Sequence, residues 1–261
     1  MTETRLALLS WSEVDELDRD RTVAVVPTAA VEQHGPHLPL DTDTYLCTRV
    51  VEEAANRANE RGPVLVAPTL AFGSSVHHMA FPGTLSLAAE TFLAVVSELC
   101  GNLARHGFRR LLVVNGHGGN SALVREGVQQ LANRAPVLAA AVDYWDLAKE
   151  VAAGIRESPP GGMSHACEFE TSLMLHLRPG SVRNELVRRE IPEPRFPSEL
   201  HDLVYPTPVT TGWRTDDLSS SGVLGAPDLA SAEKGERLFD ACVAGLAQLI
   251  AELRDAPVPS E

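Results

Sequence analysis

Ionisable side chains crowd four short stretches of the chain. The first is Glu32-Gln33-His34-Gly35-Pro36-His37-Leu38-Pro39-Leu40-Asp41-Thr42-Asp43. In extended backbone Glu32 and His34 project to one side, which suits two ligands on one cation or one on each of two neighbouring cations. A turn through Gly35 and Pro36 would bring His37, Asp41 and Asp43 back toward them. Imidazole and carboxylate are donors that Zn²⁺ and Mn²⁺ accept, and Fe²⁺ is compatible with the same set. A plainer reading is a polar loop that ends in Asp41 or Thr42 as a helix N-cap. That reading accounts for one such residue, whereas five ionisable groups stand in these twelve positions.

The second stretch is Asn115-Gly116-His117-Gly118-Gly119-Asn120. Its glycines permit close backbone approach, and His117 follows directly on an apolar run. A phosphate loop would occupy the same place, but the spacing fits neither of the usual glycine-rich nucleotide signatures and no Lys follows. The third is His165-Ala166-Cys167-Glu168-Phe169-Glu170-Thr171. On a helix His165 and Glu168 share a face while Glu170 points elsewhere. Glu168 is therefore expected as a cation ligand or proton shuttle, with Glu170 orienting a neighbour. Acidic residues also favour a helix N-terminus electrostatically, which would explain one glutamate but not His165 beside it. The fourth is Gly73-Ser74-Ser75-Val76-His77-His78-Met79-Ala80-Phe81-Pro82-Gly83-Thr84, from which Ser74 and His78 are expected to face substrate. Adjacent histidines usually diverge, so this pair alone is a weak signal. Trp145 and Trp213 are candidates to wall a pocket, although a buried Trp is by default core.

The elements that must position these groups follow from apolar patterning. Val23–Pro27, Val64–Pro68, Leu111–Asn115 and Val137–Val142 are short Val- and Leu-rich runs without alternation, the pattern of strands covered on both faces. Between and after them, Thr44–Arg61, Ala88–Arg105, Ser121–Asn133, Cys167–Leu177 and Ser231–Arg254 carry helical spacing. Alternating strand and helix implies an α/β fold, a three-layer α/β/α sandwich around a mainly parallel sheet. In such sheets ligands bind beyond the carboxyl ends of the strands, where the polar stretches lie. Residues Ile191–Ala226, broken by Pro192, Pro194, Pro197, Pro206 and Pro208, read as a long excursion that covers a site or meets another subunit. No internal repeat or low-complexity tract divides residues 1–261, so one domain is expected.

Composition narrows the partners. With 22 Lys and Arg against 35 Asp and Glu the formal charge is −13, a field that repels nucleic acid and anionic membrane. The four cysteines, Cys47, Cys100, Cys167 and Cys242, are far apart and read as reduced thiols. The acidic start lacks the pattern of a signal peptide and no run reaches about 18 apolar residues, so a cytoplasmic protein is expected.

Taken in order, Glu-x-His-Gly-x-His-Leu-Pro-x-x-x-Asp, Phe-Pro-Gly-Thr, Asn-Gly-His, Tyr-Trp-Asp and Phe-Glu-Thr-Ser resemble the creatininase (creatinine amidohydrolase) family. The likeness runs from Leu9-Ser10-Trp11 to the closing helix. It implies amide hydrolysis with two divalent cations, Zn²⁺ or Mn²⁺, in a homo-oligomer, usually a hexamer. By position it makes Glu32, His34, Asp43 and His117 ligands, with Asp43 shared. It places His165 beside the reacting group and Trp145 in the substrate pocket; from the residues themselves, Asp41, His37 and Glu170 are expected behind the ligands. Two departures stand out. The glutamate ligand of creatininase proper is Gly119 here, with Glu168 the expected substitute, and a pocket tryptophan is Gly161. The first arrangement looks like that of formamide hydrolases of flavin-type precursor synthesis and of the peptidase of mycofactocin maturation, and the second removes the aromatic lid that would stack on creatinine.

The expected chemistry is hydrolysis of a carbon–nitrogen amide bond by a hydroxide shared between two cations, with His165 donating a proton to the leaving nitrogen. Trimming of a short modified peptide is the alternative within this chemistry. A non-catalytic binding protein stapled by metal is the alternative outside it; structural zinc sites favour four closed ligands, often thiolates, and only Cys167 lies near this set.

Overall fold

The structure is a computed structural model that describes residues 3–205 and 209–259. In chain order it contains α1 (Trp11–Asp15), β1 (Val23–Thr28), α2 (Thr42–Asn59), β2 (Val64–Val66), α3 (Ala89–Arg105), β3 (Arg110–Asn115) and α4 (Ser121–Ala132). There follow β4 (Leu138–Asp143), α5 (Lys149–Ile155), β5 (Met163–His165), α6 (Glu168–Leu177), α7 (Thr215–Leu218), β6 (Leu224–Gly225) and α8 (Ala232–Asp255). The central sheet runs β2-β1-β3-β4 with every pairing parallel, and β5 and β6 form a small antiparallel pair apart from it.

Successive strand residues supply opposite faces. Val23, Val25, Leu112 and Val114 pack with Leu46, Val50, Leu173, Leu238 and Leu246 from α2, α6 and α8. Ala24, Val26, Leu111 and Val113 pack with Phe92, Val96, Val124 and Leu131 from α3 and α4. Three layers result, as the patterning predicts. Two details differ. β2 is only three residues long, and β4, the sheet edge, is half-buried along most of its length rather than covered on both faces. The excursion is mostly irregular but contains α7 and β6; Pro206 and Pro208 lie outside the described residues.

Thr28, Asn115 and Asp143 stand side by side at the carboxyl ends of β1, β3 and β4. Asn115 ties them together, accepting from the Thr28 hydroxyl at 3.3 Å and donating to Asp143 at 2.7 Å. The loops that leave this edge carry Glu32, His34, His117 and Trp145.

Candidate metal centre and active site

Each imidazole of the centre has one nitrogen committed to a backbone carbonyl. His34 Nδ1 donates to the Glu32 carbonyl at 3.2 Å, which turns Nε2 toward Asp43 Oδ1 at 3.0 Å and Glu170 Oε1 at 3.8 Å. His117 Nε2 donates to the Ser74 carbonyl at 3.1 Å, which turns Nδ1 toward Asp43 Oδ2 at 3.1 Å and Glu32 Oε2 at 3.3 Å. His165 Nε2 donates to the Gln33 carbonyl at 2.8 Å and leaves Nδ1 facing Glu32 Oε1 at 3.6 Å. A carbonyl cannot donate, so the tautomers follow: the inward nitrogen of each neutral ring is a lone pair.

Three groups of side chains could each hold a cation: Glu32, Asp43 and His117; His34, Asp43 and Glu170; and Glu32, His34 and His165. Asp43, in the first turn of α2, belongs to two of them, one oxygen toward each imidazole. Both oxygens of Glu32, Nε2 of His34 and Oδ2 of Asp43 are buried with no hydrogen-bond partner. Buried polar atoms are nearly always paired, and unpaired charges cost far more. Convergent orphaned oxygens and nitrogens fit a hard-to-borderline divalent cation, so the donor set suits Zn²⁺ or Mn²⁺.

Electrostatics support the same grouping. Burial pushes Glu32 up, but His117 and His78 outweigh it and hold its carboxyl well below the usual range. Burial lowers His34 and His117, yet the facing carboxylates win, holding His34 well above its ordinary value and His117 at about 10. His165 goes the other way, driven down by burial and by His78 and His34, and stays neutral.

The remaining expected residues separate sharply. Glu168 does not reach the centre. Its buried carboxylate receives Lys234 Nζ at 2.5 Å and the backbone N–H groups of Glu157 and Ser158 at 3.0 Å each. The face-sharing expected of His165 and Glu168 fails because His165 ends β5 and the helix begins only at Glu168, with Ala166 between them at φ +50°. Glu170 is the carboxylate that turns inward. Its outer oxygen is held by the Cys167 N–H at 3.3 Å and thiol at 3.7 Å. Asp41 is also corrected: it forms a double pair with Arg178 near the surface, at 2.5 and 3.0 Å, away from the ligands. His37 is buried behind the centre, paired with Thr171 of α6 at 2.9 Å and lowered by burial and His34 to about 4. Ser74 meets His117 through its carbonyl and is not among the residues lining the cavity over the centre, so the expectation that it faces substrate there is not met.

A cavity of about 480 Å³ opens over Glu32, Asp43, His117, His165 and Glu170. Trp145 lines it, as do His77, His201 and Trp213. Trp213 of the excursion stands edge-on to His77 at 4.8 Å and to His201 at 5.5 Å. His77 lies flat against His117 at 5.6 Å. It fills the space beside Gly119, where a Cβ would come within 2.3 Å of the Ser74 carbonyl and 2.9 Å of His77 Cε1. No carboxylate can come from position 119 in this packing. The sequence reading took the His77-His78 pair only as a weak signal and missed His201 and Gln33.

Comparison with known proteins agrees with the geometry. Residues 7–250 match the family model Creatininase, described as creatinine amidohydrolase. The creatinine amidohydrolase of Pseudomonas putida is 33% identical over 94% of this chain and 95% of its own length. The mycofactocin precursor peptide peptidase of Mycobacterium tuberculosis is 35% identical over 89% of this chain and 86% of its own. Among solved structures, one titled "Creatininase Mn" superposes with a TM-score of 0.82 at 29% identity, covering 98% of this chain and all of that one.

Proposed function

Since the chain belongs to the creatininase family of amidohydrolases, we propose that it hydrolyses a carbon–nitrogen amide bond in a small substrate, a cyclic amide or a formamide, with two divalent cations. The observation that carries this reading is the set of orphaned, buried donor atoms on Glu32, His34 and Asp43. Glu32, Asp43 and His117 would hold one cation and His34, Asp43 and Glu170 the other, with Zn²⁺ or Mn²⁺ suited to both. When bound, such cations polarise a substrate carbonyl and lower the pKa of a water toward neutrality.

The chain's own residues supply the rest. His165 keeps its Nε2 proton on the Gln33 carbonyl, so its free Nδ1 takes a proton from the attacking water and passes it to the leaving nitrogen. The proton donor of the sequence reading thus serves first as acceptor. Glu170, fixed by Cys167, keeps His34 aimed inward. Trp145, Trp213 and His77 supply flat apolar walls that exclude water and orient a planar amide.

A second reading, trimming of a short modified peptide, is favoured by the mycofactocin relative at 35% identity. It is also favoured by a cavity wall built from both ends of an excursion loop, at Leu200–Leu203 and at Val209–Trp213. We place the enzyme in the cytoplasm, a reading supported by four buried free cysteines. No helix among the described residues is long and apolar enough to cross a membrane. We further propose a homo-oligomer, hexameric as in the resemblance. Phe72, Val76, Met79 and Leu85 are exposed apolar side chains that a second copy would cover, and Val76 also lines the cavity.

Metal analysis by plasma mass spectrometry on protein purified without added metal tests the centre, and a panel of cyclic amides, formamides and short peptides tests the substrate. About two divalent ions per chain, with turnover on one class, is the expected result. A chain that retains none and rebinds neither Zn²⁺ nor Mn²⁺ overturns the proposal.

A further inference from the structure

Glu32 is steadied from outside its own loop. His78 Nε2 faces Glu32 Oε1 at 3.2 Å. On the far edge of that ring, Nδ1 lies 2.6 Å from Thr215 Oγ1 and 2.9 Å from Gln33 Nε2. The Thr215 hydroxyl also reaches the His77 carbonyl at 2.9 Å, so it grips both the ring and the backbone that carries it. Gln33 is fixed in turn, its Nε2 donating to the Gly222 carbonyl at 3.0 Å and its Oε1 accepting from the Gly35 N–H at 2.9 Å. The approach at Gly222 is so close that a Cβ there would fall 2.0 Å from Gln33 Oε1. Thr215 opens α7 and Gly222 stands just before β6, so both contacts come from the excursion.

Thr215 is fully buried. Its hydroxyl caps no helix, since the N-cap of α7 is Arg214 and makes no side-chain capping bond. Valine would fill the same volume without the polar atom. A hydroxyl placed out of water at this point is accounted for by what it holds.

We propose that Thr215 is a positioning residue of the cation centre, its hydroxyl fixing the His78 ring so that Nε2 stays on Glu32. The proposal rests on the reading of Glu32 as a ligand. It makes the excursion part of the centre's scaffold as well as a wall of the cavity, and it ties the seating of α7 to cation affinity. Groups that orient metal ligands typically change affinity by about 10–100-fold when removed.

The test compares wild type, Thr215→Val and Thr215→Ser as full-length chains stripped of metal, with Zn²⁺ affinity read by competition against a chromophoric chelator. Melting of the metal-free proteins reports the cost to the fold separately from the cost to cation binding. Thr215→Val is expected to weaken Zn²⁺ about tenfold or more and to stay folded with a lower metal-free melting temperature, since the His77 carbonyl and His78 Nδ1 lose their partner, and Thr215→Ser is expected to bind like wild type. In a His78→Phe background, Thr215→Val is expected to cost nothing further, because its effect runs through that ring. Equal Zn²⁺ affinity in wild type and Thr215→Val overturns the proposal, as does an undiminished loss in the His78→Phe background. Thr215→Ala carries the same comparison should Thr215→Val not fold. Wild type that binds no Zn²⁺ overturns the reading of the centre itself, whereas wild type that binds alongside an indifferent Thr215→Val overturns the role of Thr215 alone.

Discussion

Two glutamates two positions apart on α6 do opposite work. Glu170 sends Oε1 toward His34 across 3.8 Å, whereas Glu168 is folded back onto Lys234 and two backbone N–H groups. Successive positions on a helix turn by about 100°, so residues 168 and 170 point to nearly opposite sides, and only the helix's rotation decides which faces the centre. That rotation is set by Ala166, whose φ of +50° breaks the chain between β5 and α6. Nothing in the residue type of an alanine announces such a conformation, so the choice between the two carboxylates was not legible in the sequence. The structural assignment has a direct consequence. Glu170→Gln is expected to lower cation content from about two per chain toward one and to cut kcat/KM by about 10–100-fold, as loss of a group that holds or orients the metal does. Glu168→Gln should keep full cation content but lose about 2 kcal/mol of stability, because Lys234 is left facing a neutral amide. Plasma mass spectrometry and denaturant unfolding on the two variants separate the roles; metal loss in Glu168→Gln would reverse the assignment.

At the scale of elements, the parts that were legible are those whose side chains all answer to one demand. Val23–Thr28 and Arg110–Asn115 are covered on both faces, so continuous apolar runs mark them. The stripe Leu238, Cys242, Leu246, Ile250 marks α8, which packs one face on the sheet. The excursion answers to no such demand. It is held by polar contacts between residues far apart in sequence, and a proline-rich string does not reveal its partners. Glu190 is the clearest of these clamps. It accepts from the Ser219 hydroxyl at 2.8 Å, the Ser220 N–H at 2.7 Å and the Ser221 N–H at 3.1 Å, while its backbone pairs with Gly225. Burial raises its pKa, but the Ser221, Ser220 and Ser219 donors outweigh that and hold it at about 2 rather than 4.5. A carboxyl lowered on folding contributes stability that is complete above pH 4.5 and is lost as pH falls toward 2. Glu190→Gln is therefore expected to cost about 1–2 kcal/mol at pH 7 and progressively less below pH 4.5. Melting curves from pH 7 to pH 3 read this directly. A deficit that stays constant across the range would mean the carboxylate's charge is not what secures the loop.

For the whole molecule, the centre makes stability depend on pH when it holds no cations, and cation binding removes that dependence. Four separate polar stretches meet at the carboxyl edge of one parallel sheet, which brings Glu32, Asp43 and Glu170 together in a buried space. In the metal-free chain the positive charge opposite them comes from His34, held well above its ordinary value, and His117, at about 10. Histidines raised on folding contribute stability that is fully present below about pH 6.5 and lost as pH climbs toward their folded values. His37, at about 4, and His77, at about 3, are lowered on folding, so each subtracts stability as pH falls below 6.5. The metal-free protein should thus be most stable near pH 6.5. Ligation requires neutral imidazole, so the cation-loaded protein does not lose stability as these two rings deprotonate, and loading releases protons. Between pH 7 and 8.5 the metal-free protein is expected to drop by about 8 °C in Tm, from a slope near 1.4 kcal/mol per pH unit for each of the two protons, while the loaded protein holds steady. The window stops short of pH 9 because the buried thiols, Cys47 and Cys242 among them, are pushed up by burial and weaken both forms beyond it. Calorimetric titration with Zn²⁺ at pH 7.5 in buffers of different ionisation heat should register about two protons released per chain. A metal-free Tm that is flat or rising over this window, together with no proton release, would show that the imidazoles enter the centre already neutral and that the carboxylates are balanced in some other way.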